Sequence, residues 1–101
     1  MTDKRFVLLH PSDNVLVCCS RVVAGESVVL EGKSVSLHTE INVGHKVARV
    51  DIAKGTRIIK YGAPIGSATD DIAFARHVHL HNMKSDYIPS HTRESKQGEE
   101  R

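Results

Sequence analysis

Short apolar runs, separated by breaks rich in glycine, asparagine and proline, pattern most of the chain. Phe6-Val7-Leu8-Leu9 is the first run, and His10-Pro11-Ser12-Asp13-Asn14 is a turn cluster behind it. Val15-Leu16-Val17-Cys18 is a second run. Ala24-Gly25-Glu26 breaks the chain before Val28-Val29-Leu30, and Glu31-Gly32 separates that run from residues 33–38, where Val35 and Leu37 alternate with polar side chains. Two β-rich runs joined by a two-residue link containing glycine predict a hairpin.

From His45 to Ile52 the pattern alternates. Lys46, Ala48, Val50 and Ile52 share one face, and His45, Val47, Arg49 and Asp51 the other, which predicts a strand with one buried face. Lys54-Gly55 turns the chain into a run over residues 56–61, and Gly62-Ala63-Pro64-Ile65-Gly66 reads as a tight, irregular link. Ser67-Ala68-Thr69-Asp70 fits a helix entry, a hydroxyl followed three residues later by a carboxylate, and so predicts a helical turn over Asp71 to Ala75. His77 to His81 returns to strand alternation. No internal repeat stands out. The expected fold class is all-β: short irregular strands with one short helical turn, over residues 1–88, followed by a flexible polar tail over 89–101.

Length narrows this picture. At 101 residues the chain has room for one domain and one modest core, so a large enzyme with its own substrate cleft is not expected. A subunit, a binding module or a very small enzyme remains. No apolar run nears the ~20 residues that span a bilayer, and the four apolar residues after Met1–Arg5 do not read as a signal peptide, so no membrane partner is expected. The net charge is +2 with basic residues scattered, and aromatic residues make up 4%; nucleic acid is therefore not an expected partner. Cys18 and Cys19 are adjacent, a poor arrangement for an internal bridge, and read as small buried hydrophobes in a reducing, cytoplasmic setting.

Histidine changes the picture most, with seven in the chain. In His77-Val78-His79-Leu80-His81-Asn82, a strand would point three imidazoles to one face, roughly 6.6–6.8 Å apart, and bury Val78 and Leu80 on the other. Such a face can bind a divalent metal, shuttle protons or line an anionic pocket; its plainer reading is a half-buried strand with a histidine-rich outer side. No metal site is assigned to this chain alone; His77 and His79 are the candidate ligands, because a third would come from another element. In Gly44-His45-Lys46, a proton carrier adjoins a fixed charge, but alternation sends the two to opposite faces unless a bulge intervenes. Lys60-Tyr61-Gly62-Ala63-Pro64 sits in a shaped loop that lacks the ending of a phosphate-binding loop. His10, His38 and His91 read as turn, surface and tail residues.

Several segments together carry a resemblance. Asp13-Asn14-Val15, Gly44-His45-Lys46-Val47-Ala48, Asp51-Ile52-Ala53-Lys54-Gly55, residues 59–68, Asp71-Ile72 and His77 to Asn82 occur in this order. The series resembles the N-terminal SAF domain of the altronate dehydratase (UxaA) and galactarate dehydratase family, over roughly residues 5–85. The resemblance implies a β-clip fold. It also implies a small subunit of a sugar-acid hydro-lyase, inactive alone, that caps or gates the site of a metal-binding large subunit. The sulfolactate sulfo-lyase small subunit is a related alternative, and a stand-alone SAF-type binding module without catalysis is another. A divalent metal, Fe2+ or Mn2+, is expected in the large subunit, with a sugar acid as substrate. His45 and Lys46 are the implied catalytic pair, with Lys60, Tyr61, His77, His79, His81 and Asn82 lining the substrate junction. Where family members often have Gly-Glu before His-Val-His, this chain has Ala75-Arg76. Isolated from its partner, the chain is expected to pair as a homodimer.

Overall fold

The computed structural model describes residues 1–86. Over these residues the chain is all-β. Its strands are β1 (Phe6–Val7), β2 (Val15–Cys18), β3 (Ser27–Leu30), β4 (Lys33–Ser36), β5 (Lys46–Ala48), β6 (Arg57–Lys60), β7 (Ala63–Ala68), β8 (His77–Val78) and β9 (Met83–Lys84). They form a central sheet in the order β1-β2-β5-β8, a β3-β4 hairpin and a third sheet in the order β6-β7-β9, with antiparallel pairing throughout. The expected hairpin link is present, with Glu31 and Gly32 both at positive φ, as a right-twisted two-residue turn requires.

A repeat organises these strands, contrary to the sequence reading. An aliphatic residue, two intervening residues, a residue at positive φ, then two residues leading into a strand recur four times. The aliphatic positions are Val22, Ile41, Ile52 and Ile72, and the positive-φ positions are Gly25, Gly44, Gly55 and Ala75. Each unit closes the same turn: the amides of Glu26, His45, Thr56 and Arg76 donate to the carbonyls of Val23, Asn42, Ala53 and Ala73. A positive φ at the third residue of such a turn favours glycine. The units pair through Val22 with Ile41 and Ile52 with Ile72. The repeat is hidden in the sequence because the units are unevenly spaced and the fourth has Ala75 at the turn.

The same pairing removes the expected helical turn over Asp71 to Ala75. Ser67 and Ala68 belong to β7, and Ile72 exchanges two backbone hydrogen bonds with Ile52, each 2.7 Å. The Asp71 carboxylate accepts from the Lys54 amide and that of Asp51 accepts from the Phe74 amide, both at 2.8 Å. The Asp51 and Asp71 carboxylates thus each cap the opposite turn.

The central sheet is covered on both faces. Leu16, Cys18 and Val47 pack with Val28, Leu30 and Ile41 on one side. Val15, Ala48 and Val78 pack with Ile58, Ile72 and Met83 on the other. Fully burying each such aliphatic side chain contributes about 1.5–3 kcal/mol. β5 therefore has no solvent face: Val47 and Ala48 are both buried, whereas Val50, expected on the buried face, lies beyond the strand and is exposed. The segment expected as an irregular link is mostly strand β7, with a bulge between Ile58 and Ile59 on its partner. Cys18 is buried, as expected, but Cys19 is exposed; both thiols are free. No helix among the described residues is long and apolar enough to cross a membrane. The expected tail, His91 within it, and residues 87 and 88 of the expected domain lie outside the described residues.

Candidate functional site

The histidines meet at the edge of the central sheet. Register places His77 of β8 opposite Val47, and His45 lies two residues before Val47, on the same face. His45 Nδ1 is 3.0 Å from His77 Nε2. The His79 ring stacks on both, with centroids 4.3 Å from His45 and 5.4 Å from His77. One potential donor atom from each of these rings lies within 4.8 Å of the others. His81 is at the margin, its ring tilted 41° to that of His77 at 5.3 Å.

This is not the predicted alternating strand. β8 ends at Val78, and the chain turns over residues 80–82. Val78 is buried as expected, but Leu80 is 81% exposed. The turn has a specific cause. Asn82 accepts a hydrogen bond from the His79 amide (2.9 Å) and donates one to the His77 carbonyl (2.8 Å). An asparagine side chain bonded at both ends to backbone fixes the local chain path. It folds His79 back toward His45, so the rings converge more closely than a strand allows. The Asn82 side chain is thereby committed to positioning the histidines.

Electrostatics lowers the proton affinity of His77 and His79. Burial lowers the His77 imidazole to about 4, reinforced by His45, His81, His79 and Lys46. His79 is lowered as well, by burial first and then by His45, Lys46 and His81. Both rings are thus uncharged at neutral pH. Lys46 projects to the opposite face from His45, opposite Val78. Burial, then the charge of Lys60, lowers its ammonium. Lys60 follows on β6 and places its Nζ 5.9 Å from the centre of the Tyr61 ring, at the exposed tip of the β6–β7 hairpin. The expected site residues thus divide into an imidazole cluster and a neighbouring lysine pair, with Tyr61 extending from the latter.

Two residues were not singled out in the sequence for this site. A cleft of about 270 Å³ beside the cluster is lined by His38, Arg76, His77, His81 and Asn82, among others. Arg76 was visible only as a departure from the resembled pattern; here it adds a cation to the rim. His38 carries no local signal, since a neighbouring strand brings it to the cleft.

Three imidazoles without a carboxylate suit a borderline divalent ion such as Zn2+ or Fe2+ better than a hard one. His45, His77 and His79 are the residues that would hold it.

Fold and site together define a small all-β module that presents a cluster of imidazoles at one sheet edge. Residues 4–86 match the altronate/galactarate dehydratase SAF domain family, and the chain belongs to that family. Altronate dehydratase of Escherichia coli (strain K12) is 42% identical to it over 81 residues, covering 80% of this chain and 16% of that protein. Altronate dehydratase of Bacillus subtilis (strain 168) is 39% identical over 82 residues, with 81% and 16% covered. (2R)-sulfolactate sulfo-lyase subunit alpha of Paracoccus pantotrophus is 41% identical over 46 residues, 46% of this chain and 69% of that subunit. The chain therefore spans only a small fraction of the length of the dehydratases it matches.

Proposed function

We propose that this chain is the small subunit of a cytoplasmic sugar-acid hydro-lyase, seated on a larger subunit and capping its active site. The observation that carries the reading is the convergence of His45, His77 and His79 at a sheet edge flanked by Lys46, Lys60 and Arg76. The reaction is a β-elimination. A base takes the proton α to the carboxylate, and the electron pair of that C–H bond forms the enol double bond. The β-hydroxyl accepts a proton and leaves as water, and the enol tautomerises to a 2-keto-3-deoxy acid. His45 exchanges a proton with the substrate, with uncharged His77 and His79 beside it as proton acceptors. Lys46 binds the carboxylate or leaving group, while Lys60, Tyr61 and His81 line the junction, and Asn82 holds His77 and His79 in place. A divalent metal, Fe2+ or Mn2+, in the large subunit would supply Lewis-acid polarisation of the carboxylate and leaving group.

A second reading has its own support, because two of the relatives are named as subunits of a sulfolactate sulfo-lyase. The same site geometry would then serve a substrate that loses sulfite in place of water. Co-expression with a larger lyase polypeptide tests both. The expected outcome is a complex that turns over one member of a panel of sugar acids and sulfolactate, and in which His45→Ala and Lys46→Ala cut kcat without weakening assembly. Full turnover by both variants at normal subunit affinity would sink the catalytic role. A chain that binds a sugar acid yet forms no lyase complex is a binding module instead.

A further inference from the structure

We infer that His45, His77 and His79 form a binding site within this chain for one divalent transition-metal ion of borderline character, such as Zn2+ or Fe2+. The inference concerns the isolated chain and stands apart from the large subunit's own metal; a bound ion takes the lone pairs that proton exchange by these imidazoles would use, so the two roles are alternatives at one site.

Distance is the first support. A metal–imidazole bond is about 2.0–2.1 Å, so two nitrogens on one tetrahedral ion lie about 3.3 Å apart. His45 Nδ1 and His77 Nε2 are already at 3.0 Å. With all three donors inside 4.8 Å, the remaining ring must move by about 1.5 Å, within the reach of a side-chain rotation. The second support is rigidity. His77 is held by β5–β8 pairing, His45 follows the Gly44 turn, and Asn82 pins the backbone at both His77 and His79.

The third support is polar satisfaction. The 3.0 Å contact consumes one nitrogen each of His45 and His77, and neither ring nitrogen of His79 has a hydrogen-bond partner among the described residues. Ring nitrogens left unpaired in a half-buried position are satisfied by a shared cation once the side chains rotate to aim their in-plane lone pairs at it.

The test uses the untagged full chain with no partner or substrate, so its failure is separate from failure of the lyase reading. Zn2+ is titrated by calorimetry and Co2+ by its visible d–d absorption. One ion per chain is expected, with affinity reduced roughly tenfold or more in His77→Ala and His79→Ala. His79→Ala is the decisive variant, because its ring carries no fold-supporting hydrogen bond; circular dichroism confirms that it folds. His91→Ala should bind as the unaltered chain does. Absence of binding to the unaltered chain, retention of full affinity in folded His79→Ala, or loss in His91→Ala overturns the assignment.

Discussion

Replacing Asp13 with alanine probes the link between the central sheet and the hairpin that presents Lys60 and Tyr61. Asp13 is 2% exposed. Its two carboxylate oxygens accept from the amides of Tyr61 (3.1 Å) and Gly62 (2.8 Å), which form the β6–β7 turn. Both turn residues have positive φ, 58° and 73°, and Tyr61 holds that conformation despite its side chain. Neighbouring Asn14 binds the same hairpin, donating to the Arg57 carbonyl and accepting from the Ile59 amide, both at 2.8 Å. Arg49 secures the loop carrying both by donating to the Pro11 and Asp13 carbonyls. A hydrogen bond to a charged group contributes about 1.5–3 kcal/mol net. Two would sum to about 3–6, but water reaches the exposed Tyr61 amide once the carboxylate is gone, so Asp13→Ala should cost about 3 kcal/mol. Asp13→Asn keeps one acceptor and sets an N–H against the other amide, for about half that cost. In urea, with m near 1.5 kcal/mol/M, the alanine variant should lower the midpoint by about 2 M at unchanged m. Hydrogen exchange should accelerate at the Tyr61 and Gly62 amides before it does in β2. A midpoint within about 0.3 M of the unaltered chain, with both amides still protected, would refute the assigned role.

Three further outcomes follow from the same geometry. Gly55→Ala should cost about 1 kcal/mol from backbone conformation alone, since nothing lies within 4 Å of the added carbon, while Ala75→Gly should stabilise by about half as much because it also loses a buried methyl; opposite shifts in Tm are the readout, and two shifts of the same sign would contradict the repeat. Gly66→Ala should cost about 3 kcal/mol and lower Tm by roughly 12–24 °C, because the new carbon would sit 2.1 Å from the Lys84 carbonyl oxygen and force β9 off β7; a fall of less than about 4 °C would show that β9 is loosely held. Asp3→Asn should destabilise by about 1 kcal/mol at pH 7, because the Arg5 guanidinium grips both carboxylate oxygens and holds the Asp3 carboxyl well below its ordinary 3.8. The folded value is depressed, so this contribution is complete above pH 3.8 and fades as pH falls below it; denaturation curves of the two proteins should converge in acid, and a constant gap would remove the charge from the explanation.

Local signals gave the strands where local chemistry decides them. Val15–Cys18 appears with the bounds of its apolar run, and Glu31-Gly32 makes the hairpin its glycine implies. The sequence reading failed where partners distant in sequence take over. Ser67 and Asp70 resemble a helix entry, but Asp71 binds the Lys54 amide and Ile72 pairs with Ile52, and no local window contains those contacts. Leu80 continues an alternation that Asn82 interrupts by bonding back to His77 and His79. The histidines were legible as a cluster for the wrong geometric reason: a straight strand would space them apart, and the Asn82 turn brings His79 to His45. Lys46 behaves as alternation says, on the face opposite His45.

The repeat explains why the chemistry lies where it does. Each unit delivers two residues after its positive-φ position, the second of which opens the strand that follows: Glu26 and Ser27, His45 and Lys46, Thr56 and Arg57, Arg76 and His77. The second and fourth units feed β5 and β8, which pair in the central sheet, so His45-Lys46 and Arg76-His77 arrive side by side from equivalent places. The first and third units feed β3 and β6, which lie in separate sheets, and their equivalent positions carry no imidazole. A fold made of four similar turns can thus host one site by loading two of them and leaving the other two to structure. The loaded fourth unit is also the one without glycine. Ala75 takes φ 72° immediately before Arg76 and His77 and packs its methyl into the core with Leu16 and Val47. The methyl anchors the turn that aims Arg76 at the cleft and His77 at His45, and the backbone strain at Ala75 is the energetic cost of that anchor.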